Sequence, residues 1–282
     1  MPERQSSQAK SDDRGSDGDL DQMRLEDACR GIALVRECFW FAQVDSTQEE
    51  LRRRRDEVGP GTLIVADLQT AGRGRRGRSW FSPRQGLWFS LGVRPPRERR
   101  EWPLITSIAG LALREALREV AGLSCGIKWP NDLLCRGRKI AGILAESSGK
   151  GGVALGAGVN LAQERRDFPP ELRASATSVR LEAGRVPPRA PLLRAFLEAF
   201  RERLGRFSVG GGRAVREELR AASLLIGRWI TLADGSGGRV ADIAEEGGLI
   251  LEPPATDSHA DRRAITVTSG EIIAIEPPLD RT

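Results

Sequence analysis

The sequence predicts a mixed α/β (α+β) protein: a mixed β-sheet domain covered by helices, followed by a small β-barrel. Three observations carry this expectation. Apolar runs of strand length, such as GTLIVADLQ and GLWFSLGVRP, recur through the first part of the chain. Two long stretches instead place apolar residues at three- and four-residue steps, the period of a helix with one buried face. After Leu224 the pattern shortens to β-rich runs broken by GSGG and EEGG, the turn chemistry of a small antiparallel module.

Residues 1–24 are rich in Ser, Asp, Gln and Gly with almost no apolar anchors, and predict a disordered tail. CFWFAQVDST then reads as a short strand running into a turn, EELRRRR as part of a helix, and GTLIVADLQ as a second strand. GLWFSLGVRP is a third strand, stopped by paired prolines that cannot continue a central ladder. Between residues 103 and 120, Ile105, Ile108, Ala109, Ala112, Leu113, Ala116, Leu117 and Val120 form one apolar stripe and predict a long helix. GIKWPNDLLC, RKIAGILAES and GGVALGAGVN return to strand patterns separated by glycine-rich turns. PLLRAFLEAFRERLGRF predicts a second long amphipathic helix and AVREELRAAS a shorter one. The change of character near residue 224 marks the expected boundary, with one domain over 25–223 and the barrel over 224–282.

Composition removes several function classes. The 282 residues are 39% hydrophobic and 29% charged, ordinary for a soluble protein, and the net charge of +5 favours anionic partners without specifying nucleic acid. No apolar run has the length of a membrane span and the N-terminus lacks a signal-peptide core, so no membrane association and a cytoplasmic location are expected. Cys29, Cys38, Cys125 and Cys135 form no C-x-x-C pair and predict ordinary reduced thiols. His259 is the only histidine, in a polar stretch, which argues against imidazole catalysis and multi-histidine metal sites. Arginine, lysine, carboxylates and backbone dipoles must carry any chemistry.

Four segments hold such groups. GRGRRGRSW (72–80) packs four arginines and three glycines into nine residues. By itself it fits a nucleic-acid grip, a solvated loop or a loop folding around a small anion, since glycines admit close backbone approach and arginine forks bind phosphate or carboxylate. It is neither a Walker loop nor a dinucleotide fingerprint. Its like charges should repel one another and favour mobility. KWPND (128–132) is good turn chemistry, or a cation, aromatic, amide and carboxylate grouped for function. In RKIAGILAE (138–146), Lys139 either snorkels to water or points into a site. GAGVN (156–160) is a tight bend, or room for a ligand beside a strand, ending in the amide of Asn160.

DST (45–47), QTAGRGRRGRSW, KWPNDLL, RKIAGILAE and GAGVN occur in an order and at a spacing that resemble the biotin protein ligases, from residue 39 to residue 277. The resemblance implies a catalytic domain of the biotin/lipoate ligase type and an SH3-like C-terminal barrel. It implies ATP and Mg2+ as requirements, biotin as substrate, and the biotin carboxyl carrier protein as acceptor. Biotin would be activated as biotinyl-5′-AMP with release of pyrophosphate, then transferred to a lysine of the carrier. Bringing a carboxylate against a polyphosphate requires cationic donors and no histidine.

By motif position, the resemblance implies that Ser46, Thr47 and Gln69 bond the ureido ring, with Gly72 and Gly142 beside the biotin. Arg73 and Arg75 would close over carboxylate and phosphate, Trp80 would wall the ring, and Lys139 would contact the reacting oxygens. Lys128, Asn131, Asp132 and Asn160 would serve the nucleotide, Asp132 also its magnesium, with Gly156 and Gly158 making room. Ser79 stands where many relatives have a basic residue, and the stretch through ASATSV lacks the tryptophan some relatives place against adenine. Only about forty residues, mostly polar, precede VDST, so a DNA-binding helix-turn-helix and specific nucleic-acid recognition are not expected. A homodimer pairing through sheet edges is common in the family. The competing readings are a lipoate or octanoate ligase, whose histidine-containing glycine-rich motif is missing here, and a nucleic-acid-binding module built on the arginine loop.

Overall fold

A computed structural model describes residues 27–54, 59–149, 151–253 and 264–277; the expected tail and His259 lie outside them. Seven strands make the larger sheet: β1 (Glu37–Phe41), β2 (Thr62–Ala66), β3 (Leu87–Val93), β4 (Gly126–Lys128), β5 (Asp132–Cys135), β6 (Arg138–Gly149) and β7 (Gly152–Val159). Their order is β1-β2-β3-β7-β6-β5-β4, with β1 parallel to β2 and the remaining neighbours antiparallel. GIKWPNDLLC is a hairpin, with the turn where KWPND has turn chemistry: Lys128 pairs with Asp132, leaving Trp129, Pro130 and Asn131 in the turn.

The two faces of this sheet differ because side chains alternate along each strand. Leu87, Phe89, Leu91 and Val93 of β3 join the main core. Trp88 and Ser90 fall on the opposite face. The core face is covered by α2 (Leu104–Ala121) and α4 (Arg189–Gly210), and the other carries the short α1 (Thr47–Arg53). Every residue of the stripe expected in α2 is buried except Val120, which is partly buried against the same core. Gly122, at φ 72°, ends α2 in the left-handed conformation that favours glycine. Phe196 of α4 lies 5.0 Å, centroid to centroid, from Phe89 and 5.6 Å from Phe200, locking α4 to the sheet.

The helices α3 (Val179–Ala183) and α5 (Arg213–Ala222) complete the set used below. The second sheet contains β8 (Trp229–Leu232), β9 (Gly237–Ile243), β10 (Leu249–Glu252), β11 (Ile265–Val267) and β12 (Ile272–Glu276), in the antiparallel order β11-β10-β9-β8-β12. It stands where the small barrel is expected, and among the described residues its pairings run from edge to edge without closing. Arg216 of α5 ties it to the first part of the chain, donating to the Ile243 carbonyl at 2.7 Å and pairing with Asp242 at 2.6 Å. No helix among the described residues is long and apolar enough to cross a membrane. Cys125 and Cys135 are buried thiols, as the scattered cysteines predict.

Because Phe196 is fully buried between two aromatic partners, Phe196→Ala leaves a cavity at the helix–sheet seam. It should lower unfolding free energy by about 3–5 kcal/mol, measured by urea denaturation.

Candidate active site

A cavity of roughly 590 Å³ opens on the face of the large sheet opposite the long helices. Ser46, Thr47, Gln69, Arg73, Arg75, Trp80, Lys128, Asn131, Asp132, Lys139, Gly142, Gly156, Gly158 and Asn160 all line it. Of the residues singled out in the sequence, Gly72 alone lies behind this lining: a β-carbon there would meet Ser82 Oγ and the Trp80 carbonyl at 2.5 Å.

One end of the cavity is a directional hydrogen-bond chain. The backbone N–H and the hydroxyl of Thr47 both donate to Gln69 Oε1, at 2.8 and 3.1 Å. The backbone donor sets the amide orientation, so Gln69 Nε2 faces Ser82 and donates to its Oγ at 2.8 Å. Ser82 donates in turn to the Trp80 carbonyl at 3.0 Å. Having given its proton to Gln69, the Thr47 hydroxyl accepts from Ser90 Oγ at 2.8 Å. Ser46 caps α1, its Oγ accepting from Gln48 N–H at 3.3 Å. The chain leaves the Ser46 hydroxyl proton, one Gln69 amide proton and lone pairs on Thr47 and Ser90 for a ligand.

The middle of the cavity holds the charges. Lys139 Nζ is 2.7 Å from Asp132 Oδ1 and 4.8 Å from the centroid of Trp80, an ion pair and a cation–π contact on one ammonium. Lys139 therefore points into the cavity instead of snorkelling outward. Its strand is clamped from outside, since Lys139 N–H donates to the Ser175 carbonyl and its own carbonyl accepts from Thr177 N–H. Gly142 and Gly158, paired across β6 and β7, accommodate the Trp80 indole: β-carbons there would come within 2.9 and 2.4 Å of it. A β-carbon on Gly156 would meet Gln48 Oε1 at 2.9 Å.

The amides hold structure as well as line the cavity. Asn131 Nδ2 donates to the Ile143 carbonyl at 3.0 Å, and Asn131 Oδ1 accepts from Arg75 Nη1 at 3.5 Å. Asn160 Nδ2 is engaged by the Thr177 carbonyl at 2.9 Å. The tryptophan of KWPND is a strut: Trp129 is buried and donates to the Gly247 carbonyl, in the turn between β9 and β10, at 2.9 Å.

The arginine loop does not stand as four unopposed charges. Arg73 pairs with Glu49 of α1 and Glu146 of β6, while Arg76 and Arg78 each reach Glu271, just before β12, at 3.0 Å. Arg75 turns inward, and burial together with the charge of Arg76 holds its guanidinium below the usual arginine value. An arginine so shifted stays protonated. The self-repulsion legible in the sequence is thus offset by carboxylates from three separate elements. The C-terminal sheet also enters the cavity directly, through Ile272, Ile273, Ala274 and Ile275.

Sequence reasoning missed several lining residues. Ser90 had a signal, a hydroxyl inside the apolar run GLWFSLG. Phe168 supplies an aromatic wall beside Leu172, Ser175 and Ala176, on the side where the ASATSV stretch lacks a tryptophan, and packs against Phe81 with centroids 6.3 Å apart. Glu271, a partner of Arg76 and Arg78 and not itself part of the lining, had none, because nothing local ties a turn near the C-terminus to a loop near residue 76. No group of three or more histidine, cysteine or carboxylate side chains suited to a metal occurs among the described residues.

Comparison with known proteins agrees with this arrangement. Residues 40–162 match the model of the biotin/lipoate A/B protein ligase family. A biotin--[acetyl-CoA-carboxylase] ligase of Paracoccus denitrificans is 35% identical over 229 residues, 76% of this chain and 94% of that one. The enzyme of the same name from Mycobacterium tuberculosis is 31% identical over 267 residues, 90% and 95% of the two chains. A bifunctional ligase/repressor of Bacillus subtilis is 34% identical over 244 residues, 83% of this chain and 75% of that one. Among solved structures, the biotin protein ligase of Aquifex aeolicus in complex with biotin and ATP superposes with a TM-score of 0.73 at 31% identity, covering 85% of this chain and 98% of that one. Fold, cavity and sequence converge, and the chain belongs to the biotin protein ligases of the biotin/lipoate A/B protein ligase family.

Proposed function

We propose that this protein is an ATP-dependent biotin protein ligase acting on a biotin carboxyl carrier protein. A carboxylate oxygen of biotin attacks the α-phosphorus of ATP and pyrophosphate leaves, forming biotinyl-5′-AMP. The amine of a carrier lysine then attacks the acyl carbon, AMP departs, and an amide remains. The relatives named for biotin--[acetyl-CoA-carboxylase] ligase activity and the biotin and ATP complex of the Aquifex aeolicus enzyme support this reading.

The observation that carries it furthest is the polar end of the cavity. A cyclic urea presents one carbonyl and two N–H groups, matching the free proton of Ser46 and the lone pairs of Thr47 and Ser90, with Gln69 in reach as a further donor. A dithiolane ring or an alkyl tail would bury these groups unpaired, at about 1–3 kcal/mol for each one lost. That disfavours lipoate and octanoate. A nucleic-acid grip is disfavoured by the carboxylates already engaging Arg73, Arg76 and Arg78.

In this reading Trp80 walls the ring system, and Lys139 and Arg75 supply positive charge where the carboxylate meets the phosphate. Lys128, Asn131 and Asn160 lie along the nucleotide's path, and Phe168 offers the base an aromatic face. Asp132, whose Oδ1 pairs with Lys139, would offer its other oxygen to a magnesium ion accompanying the nucleotide, and that ion would neutralise phosphate charge. The domain division at residue 224 gives the second sheet a part in closing the cavity through β12.

Three outcomes are expected. Pyrophosphate release should follow addition of biotin and not of lipoate or octanoate, and equal release with lipoate would overturn the assignment. Lys139→Ala should slow single-turnover formation of biotinyl-adenylate about a hundredfold or more while far-ultraviolet circular dichroism stays unchanged. Arg75→Gly should let the adenylate escape, seen as biotin on lysines of an unrelated bystander protein by mass spectrometry.

A further inference from the structure

Arg73 and Arg75 are two residues apart in one loop, yet they face different partners. Arg75 reaches Asn131 inside the cavity. Arg73 reaches two carboxylates beside it, Glu49 on α1 and Glu146 on β6. Arg52 joins the same pair, at 2.9 Å from Glu49 and 3.0 Å from Glu146. Two cations and two anions thus form a closed, electrically neutral ring. Gln48, almost fully buried, fastens the ring to the sheet: its Nε2 donates to Glu146 at 3.3 Å and to the Ala154 carbonyl at 3.0 Å.

Glu146 is the member that the sheet itself positions. It sits four residues beyond Gly142 on the cavity face of β6, where β7 pairs with it residue for residue. Glu49 and Arg52 ride on a seven-residue helix, and Arg73 on the loop. A guanidinium shared between two carboxylates is poorly available to a third anion, because leaving them would give two partly buried negative charges one cation, Arg52, in place of two. The ring therefore holds the base of the arginine loop, and Arg75 is the loop arginine that reaches Asn131.

We propose that Glu146, assisted by Glu49, is a positioning residue for the ligase reaction: it anchors Arg73 so that the loop presents Arg75 to the acyl-adenylate. This rests on the reading of the protein as a biotin protein ligase. The alternative is that Arg73 itself leaves the ring to hold the acyl phosphate, with Glu146 acting as its competitor. The two make opposite predictions. If Glu146 anchors, removing its charge loosens the loop and the adenylate is lost faster. If it competes, removing its charge frees Arg73 and the adenylate is held longer.

The test uses the full-length enzyme with Glu146→Gln, Arg73→Gln and the double variant. Loss of labelled biotinyl-adenylate from the isolated complex should rise about tenfold in each single variant and no further in the double, as for two residues acting through one contact. The first-step rate at saturating biotin and ATP should fall less than the retention does, and Glu146→Asp, which keeps the charge, should restore part of the retention. A second readout needs no activity: trypsin should cut the free enzyme after Arg75, Arg76 or Arg78 faster in Glu146→Gln than in the unchanged protein. Slower loss of adenylate in Glu146→Gln, additive effects in the double variant, or unchanged loop cleavage would overturn the anchoring role. Absence of biotin-dependent pyrophosphate release from the unchanged enzyme would instead overturn the functional reading, and the cleavage experiment would still decide whether Glu146 holds the loop.

Discussion

Gathering four arginines around one cavity is an electrostatic problem before it is a catalytic one. Each guanidinium repels its neighbours, and a loop rich in glycine has no side-chain packing to oppose that repulsion. The structure solves it by distributing counter-charges over the fold. Glu49 comes from a helix, Glu146 from the central sheet and Glu271 from the approach to the last strand. These pairs are partly exposed, so each is worth little alone. Their effect is collective: they engage Arg73, Arg76 and Arg78 and leave Arg75 turned toward Asn131. The second sheet is bound into the site by the same logic, since Glu271 can meet Arg76 and Arg78 only if β12 lies against the cavity mouth.

The other end of the cavity depends on a different constraint, the one-way order of a hydrogen-bond chain. A neutral amide could face either way, but the backbone N–H of Thr47 requires an acceptor and so fixes Gln69. Every later bond in the series, through Ser82 to the Trp80 carbonyl, follows from that single donor. The polar end and the aromatic wall are therefore mechanically one unit. Trp80 is further confined by Gly142 and Gly158, whose missing side chains let the indole lie close to the sheet backbone.

One sheet serves as both core and site because alternate residues of its strands look in opposite directions. Phe89 packs on Phe196 under the long helices, while its neighbour Ser90 bonds Thr47 beneath the cavity. This division explains how a chain with ordinary hydrophobic content supports a large cavity with both polar and apolar walls. In β3 and β7 one half of the strand packs in the main core, and the other half supplies Ser90, Gly156 and Gly158 to the cavity.

The sequence by itself determined most of the elements and, through its motifs, fourteen of the residues that line the cavity. Local patterning is a short-range property, so the stripe from Ile105 to Leu117, the apolar run of β3 and the break after Leu224 were all legible, as were Lys139 in an apolar strand and the glycines of GAGVN. What only the tertiary structure decided is which charged and polar groups meet. Arg73 and Arg75 carry the same side chain in the same motif, and nothing within the motif separates the one held by Glu146 from the one facing Asn131. Trp129 and Trp80 are both tryptophans in ligand-like motifs, yet one props the hairpin against Gly247 and the other walls the cavity. Glu271 lies so far along the chain from Arg76 that no periodicity or spacing connects them. Charge pairing and hydrogen bonding act over a few ångströms in space, and the distance that governs them is set by how the sheet is folded, not by separation along the sequence.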